Sequence, residues 1–453
     1  MKKSIALILA IILLLHFTAC SKNNSMKTTS SITYIGNTES KDPLRICVDI
    51  QESYYLDPSA NIMQAQKVMN DFLVDVRTNL GGQEVVVEFL PNDGAANEDT
   101  TARRASAVSR LRVEMLAGGG PDVFIMRYIQ TDWGGDGANL DSGDILFTNP
   151  QKIMDSGVFL PLDEYIENCT RFAEWEKFPQ AVMDAGRNCE GQQIIPLTYT
   201  FPVLTYPREE FDHTPDRLLT WNDLLTDQKL APFAADLINC REGYEEDEKG
   251  NYGVAYPEYL EFTLGEIADY EKGDLLFTEE DLLQRMKEIM ALGMKDTNSD
   301  AKESMLGVNV RSCTQPITLL PLYSDDGGIF ARVESYAAVN RNTKRPEEAF
   351  TVIDTLLSTE VQQSSKIYTE YLCYTSGLPM NEELDRIGTN QRLYMNEDNY
   401  KEICELQEQI TGAYFDGEPT AILNILLECD SYPDQVEGIV HEAYEDLQRR
   451  IKE

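Results

Sequence analysis

Residues Leu111–Met126 read LRVEMLAGGGPDVFIM: a helix, a glycine turn and a buried strand in sixteen residues. Val108, Leu111 and Met115 recur at three- and four-residue spacings, the apolar stripe of an amphipathic helix. Gly118, Gly119 and Gly120 permit the left-handed backbone that stops a helix, and Pro121 prevents its restart. Val123–Met126 is a short, unbroken apolar run, the pattern of a strand covered on both faces. A helix returning through a tight turn to a buried strand is half of a βαβ unit. In such sheets ligands gather beyond the carboxyl ends of the strands. The residues just past Met126, namely Tyr128, Asp132 and Trp133, are therefore the first candidates for ligand contact.

Upstream, Leu44–Ile50 (LRICVDI) alternates as a strand, and Ile62, Ala65, Met69, Phe72 and Val76 form a helical stripe. Gln83–Leu90 (QEVVVEFL) is a second strand, so the body opens βαβαβ and is of the α/β class. Downstream, a polar, glycine-rich loop over 132–143 precedes GVFLPLDEYI (157–166). The spacing then predicts a helix over Trp175–Gly186 and a strand over Gln192–Leu197 that enters Thr198–Phe201. Thr220 stands as a cap before TWNDLL. At the far end Val436, Ile439, Val440, Ala443, Leu447 and Ile451 make one helical stripe, with Asp434 at its start.

The amino terminus has the order of a secretory leader. Lys2 and Lys3 precede eleven apolar residues, Ile5–Leu15, and then Phe17-Thr18-Ala19-Cys20. Eleven residues of helix rise about 16 Å, too little for a hydrocarbon core of about 30 Å. Residues 1–19 are expected to be a signal peptide. The residues before Cys20 resemble a lipoprotein box, with Phe17 where leucine is usual, and imply acylation of Cys20. Residues 20–42, rich in Ser, Thr, Asn and Lys, are expected to be a flexible tether.

Composition narrows the partners. Loss of Lys2 and Lys3 with the leader takes Lys+Arg from 39 to 37 against 77 Asp+Glu, a formal net charge of −40. That surface repels nucleic acid and anionic lipid, so neither is an expected partner beyond the anchor itself. The nine cysteines form no Cys-x-x-Cys and there are three histidines, so no zinc site is expected. Asp296, Asn298 and Asp300 open like a calcium loop, but Ala301 and Gly307 break the pattern at its sixth and twelfth positions. No metal or cofactor is expected.

PDVFIM, FLPLDEYI, IIPLTYTFPVLTYPREEF and TWNDLL, in this order and spacing, resemble the bacterial extracellular solute-binding proteins of family 1. These are the sugar-type substrate-binding lipoproteins of ABC transporters. LGEIADYEKGD (264–274), SYAAVN (335–340) followed by a helix over Pro346–Gln362, and GLPMN (377–381) also match. The resemblance implies a periplasmic-binding-protein-like α/β fold of two lobes around an interlobe cleft. The chain would leave lobe one near Pro196–Phe201, return near Leu320 and leave again near Cys373–Gly377. Lobe one is then 43–197 plus 320–373, and lobe two 198–319 plus 377–453. The last helix should pack onto lobe two.

Sugar recognition needs an aromatic face for the C–H side and polar groups for the hydroxyls. Trp133 is the best stacking candidate, its alternative being a tryptophan that plugs the loop; Tyr128 lies nearer the strand end. Tyr199 and Phe201 sit at the first implied crossing, where one of them is expected to be structural. Asp325 and Asp326, on a turn before Gly327-Gly328, offer acceptors at the return crossing, and Arg311 offers a guanidinium fork. One departure weighs against a sugar. Near Asp416–Glu428 family members often carry a tryptophan, and this chain has AILNIL (421–426).

The resemblance thus implies a monomeric, lipid-anchored receptor on the extracytoplasmic face of the cell membrane, delivering a small solute to an ABC permease without catalysis. Its ligand-binding set is Tyr128, Trp133, Tyr199, Phe201, Arg311, Asp325 and Asp326, with Cys20 as the lipidation site. A secreted carbohydrate-active hydrolase is the rival from another class, because paired carboxylates abound. A surface sensor or adhesin that kept the binding-protein fold is the third.

Overall fold

The structure, a computed structural model, describes residues 33–36, 40–49, 71–90, 98–127, 145–208, 219–227, 262–264, 267–270, 272–293, 302–305, 315–364, 377–381, 397–415, 429 and 432–452. Cys20, Tyr128, Trp133 and Arg311 lie outside them, as do the leader, residues 20–32 of the tether, residues 296–301 and residues 421–426; Thr33–Gly36, expected to be part of the flexible tether, is instead a strand that pairs antiparallel with Val86–Phe89.

The organising stretch folds as it reads. After β1 (Thr33–Gly36), β2 (Leu44–Asp49) and β3 (Val85–Phe89), helix α1 spans Glu98–Leu116. It stops on a double hydrogen bond: Gly118 N donates to Met115 O at 2.9 Å and Gly119 N to Glu114 O at 3.0 Å. Gly118 and Gly120 take φ of 80° and 102°; Gly119 stays outside the left-handed region. β4 (Val123–Arg127) follows, buried from Val123 to Met126. Asn340 pins the turn from across the sheet, its Nδ2 donating to Gly119 O at 2.9 Å and Pro121 O at 2.8 Å.

Helices α2 (Pro150–Asp155) and α3 (Asp163–Asn168) lead to a shorter element than predicted. In place of one helix over Trp175–Gly186 there is a 3-10 turn, Trp175–Lys177, and then α4 (Gln180–Asp184). Pro179 is the reason: the residue before a proline is driven from the helical region, and Phe178 is extended at φ −84°, ψ 139°. A short hairpin, β5 (Arg187–Asn188) with β6 (Gly191–Gln192), precedes β7 (Ile194–Thr200) and β8 (Pro202–Pro207). Thr220 caps α5 (Trp221–Thr226) in a full capping box with Asp223.

β9 (Ala268–Asp269) and β10 (Asp274–Leu275) pair ahead of α6 (Glu279–Gly293). β11 (Lys302–Met305), β12 (Ile317–Pro321) and the long β13 (Ile329–Val339) complete the middle of the chain. The helix expected over Pro346–Gln362 is two, α7 (Pro346–Leu356) and α8 (Thr359–Ser364). Ser358 breaks it, since its Oγ accepts from Val361 N at 3.2 Å and so starts the second helix. β14 (Leu378–Pro379), α9 (Glu397–Gln407), β15 (Ile410–Phe415) and α10 (Val436–Lys452) close the chain.

The large sheet runs β1-β3-β2-β4-β13-β7-β14, with β15 also on β13, and a smaller one runs β11-β8-β12. β2, β3 and β4 are parallel, as the βαβαβ reading requires. α10 buries Val436, Val440, Ala443, Leu447 and Ile451, the stripe read from sequence. It packs on α6, with His441 Nδ1 3.1 Å from Glu279 Oε1 and Lys287 Nζ 3.3 Å from Glu437 Oε1. Its carboxyl end meets α2, where Lys152 Nζ donates to Arg450 O at 3.1 Å, a cation where the helix dipole favours one. Among the described residues no helix is long and apolar enough to cross a membrane.

Candidate ligand-binding site

Two strands meet end to end on one side of β13. β4 runs antiparallel to it with Arg127 opposite Ser335, and β15 runs parallel with Phe415 opposite Val333. β7 occupies the other side across both stretches, from Arg332 to Ala338. So β4 and β15 point at each other, and their carboxyl ends face across one residue, Glu334. Strand carboxyl ends that converge from opposite directions are where ligands bind in open α/β sheets.

Glu334 is also skipped by the ladder to β7, where Val333 pairs Tyr199 and Ser335 pairs Thr198. A bulge of this kind re-aims a side chain. Glu334 and Arg332 are both buried, and Glu334 Oε1 takes Arg332 Nε at 3.0 Å with Nη2 at 2.9 Å. A second charged pair stands nearby. Asp49, the last residue of β2, lies beside Met126, which in turn lies opposite Tyr336. Both Asp49 oxygens are held by Arg104 of α1, at 2.9 and 2.7 Å. Burial, and then the Asp49 charge, push the Tyr336 hydroxyl far above the ordinary tyrosine range, so it stays neutral. Burial likewise pushes the Cys47 thiol up, which leaves an inert core thiol inside β2.

The same edge carries the crossings between the sheets. The chain passes from β7 to β8 at Phe201 and returns from β12 to β13 through 322–328. The return is a pinned turn. Asp325 N donates to Thr263 O at 2.9 Å, Gly328 N to Leu219 O at 3.0 Å and Ile329 N to Gln409 O at 2.9 Å. Gly328 has φ 91°, and a Cβ there would sit 2.4 Å from Thr411 Cγ2.

The structure separates the sequence candidates it describes. Tyr199 and Phe201 are both fully buried, and the Tyr199 hydroxyl accepts from Gln407 Nε2 at 2.8 Å. Each is part of the packed core at the crossing, and neither presents a face to solvent. Asp325 is exposed but ion-paired with Arg285, whose guanidinium lies 5.5 Å from the Trp221 ring centroid. Asp326 is exposed on the same turn. Neither aspartate lies beside Glu334 in the strand register. Sequence reasoning passed over Glu334, Arg332, Asp49 and Arg104. The available signal was two charges two residues apart in ARVESYAAV, a strand otherwise apolar enough to be buried on both faces.

The sequence matches no family model and no curated protein. Solved structures share its fold. An extracellular solute-binding protein of family 1 from Alicyclobacillus acidocaldarius aligns with a TM-score of 0.54 at 12% identity, over 91% of this chain and 100% of that one. A periplasmic oligogalacturonide binding protein from Yersinia enterocolitica aligns at 0.52 and 15%, over 91% and 99%. A de novo designed cysteine esterase aligns at 0.52 and 14%, over 90% and 98%. The fold is thus the periplasmic-binding-protein-like α/β fold that the sequence resemblance implied. Its occurrence in a designed esterase shows why the fold alone does not give a function.

Proposed function

We propose that this chain is an extracytoplasmic receptor that captures a small solute, a sugar or oligosaccharide, and hands it to an ABC permease. The observation that carries the reading is the convergence of β4 and β15 on the buried charges of β13. It occurs within a fold shared over nine-tenths of the chain with a solute-binding protein. Replacing a buried charge pair by apolar side chains is often neutral or stabilising, so two such pairs beside the ends of β2, β4 and β15 point to binding rather than to folding. On this reading the two sheets belong to two lobes. The crossings at Phe201 and 322–328 are the hinge, and closure on a ligand selects the form the permease accepts. Tyr128, Trp133 and Arg311, outside the described residues, would complete the site, with Trp133 as the stacking face.

A thermal-shift panel of sugars, amino acids and peptides tests this. A ligand that binds only the folded chain at a hundred times its Kd adds about 2.7 kcal/mol of stability and raises Tm. A sugar that raises Tm and is recovered intact supports the receptor. Steady appearance of shorter products favours a carbohydrate-active hydrolase instead, and a panel with no sugar among its hits overturns the proposed ligand class.

Membrane attachment through Cys20 is the second part of the proposal, resting on the charged, apolar and small-residue order that ends there. Cys20→Ala should release the protein into the medium. Fractionation that finds the variant as membrane-bound as the parent places the anchor elsewhere.

A further inference from the structure

We infer that Glu334 is the hydroxyl-accepting group of the solute site and that it selects neutral polyhydroxylated solutes over acidic ones. The inference rests on the receptor reading and adds the residue and the charge preference. Most buried carboxylates among the described residues are saturated. Asp49 has both oxygens on Arg104, and Glu88 has one on Arg45 and one on Arg110. Asp122 takes Arg45 N on one oxygen and Thr343 Oγ1 on the other; Asp354 takes two donors on each. Glu334 is different. Arg332 Nε and Nη2 both lie against Oε1, and Oε2 accepts no hydrogen bond, although the residue is only 4% exposed.

Oε2 is not fully enclosed: it keeps an opening through which water, or a ligand hydroxyl in its place, reaches it. It lies where the carboxyl ends of β4 and β15 face each other. A hydroxyl is the donor that fits. It gives one hydrogen to Oε2 and leaves the Arg332 bonds to Oε1 undisturbed. A sugar hydroxyl would be read in this way, whereas a second carboxylate would meet like charge in low dielectric. The formal net charge of −38 for the full chain works in the same direction. Arg332 fixes the rotamer of the glutamate, which makes it a positioning residue.

The test uses the full chain, with maltotriose, mannotriose and cellotriose as neutral probes and trigalacturonate as the acidic one, by calorimetric titration. The parent should bind at least one neutral probe more tightly than trigalacturonate. Glu334→Gln should weaken that binding about tenfold to a hundredfold. Since Glu334→Gln removes the carboxylate charge from beside Arg332, the paired replacement Arg332→Met with Glu334→Leu is the control. Exchanging a buried ion pair for apolar side chains is often neutral or stabilising, so its melt should match or exceed the parent's while binding is lost. A paired variant that binds the neutral probe as well as the parent overturns the inference and leaves the receptor reading standing. Tighter binding of trigalacturonate than of every neutral probe does the same. A parent that binds none of the four overturns the sugar reading and this inference with it.

Discussion

Asp354→Ala should lower stability by about 3–5 kcal/mol, the scale for breaking a buried, fully bonded charge. Asp354 is buried on α7 and gathers the segment that follows α3. Its Oδ2 accepts from Arg171 N at 2.8 Å and Phe172 N at 2.9 Å; its Oδ1 accepts from Ala173 N at 3.1 Å and Trp175 Nε1 at 2.9 Å. Alanine strands those four donors at once, and a stranded buried donor costs more than its bond was worth. The Trp175 ring also stacks on Phe350 of α7 at a centroid distance of 5.6 Å, so apolar packing loosens with the polar anchor. Asp354→Asn keeps the shape but replaces one accepting oxygen with a donor, and should fall between. Urea melts of both against the exposed control Asp326→Asn would show the order. Asp354→Ala within about 1 kcal/mol of the parent would mean that the segment is held by something else.

Phe201→Ala comes next, at about 3–5 kcal/mol for deleting a buried aromatic ring. Phe201 is fully buried at the single residue between β7 and β8, so its ring sits where the two sheets exchange a strand. The cavity should weaken contact between the sheets as well as the core of either. Calorimetry should show a lower, broader transition, and tryptic cleavage near residue 209 should speed up. The same variant decides between its packing role and the ligand contact read from sequence. As a core residue it loses stability and keeps its affinity per folded molecule. Unchanged melting with weakened solute binding would return Phe201 to the ligand site.

The fold was legible wherever its causes are local. The helix stop at Gly118, the buried run Val123–Met126, the cap at Thr220 and the stripe of α10 each depend on residues within a few positions of one another. Local reasoning misplaced two helices, at Pro179 and Ser358, where a backbone restriction and a side-chain cap overrode the apolar spacing. The candidate site was less legible because ladder register sets it. Glu334 becomes conspicuous only when Arg127 and Phe415, far apart in sequence, are laid against Ser335 and Val333. Asp325 shows the converse. Its turn chemistry is plain in DDGG, but the Arg285 that claims its charge lies on a helix no local pattern connects to it. Aromatics at the crossing were found; that Tyr199 and Phe201 turn inward follows from packing by distant strands.

The central place of β13 bears on when this protein becomes a protein. Its neighbours β4 and β7 are synthesised well before it, and β15 well after, so the growing chain holds half-sheets with nothing to close them. Pairings between such distant segments must overcome a large loop-closure entropy and form slowly. During synthesis the first half therefore has no finished sheet to collapse into. Were the chain exported through a narrow channel, as the proposed receptor role requires, that delay would be useful: it would remain pliable until the strand that unites it had passed. The accompanying hazard is that β4 and β7, waiting with apolar faces and bare edges, need shielding from their counterparts in neighbouring chains during the interval.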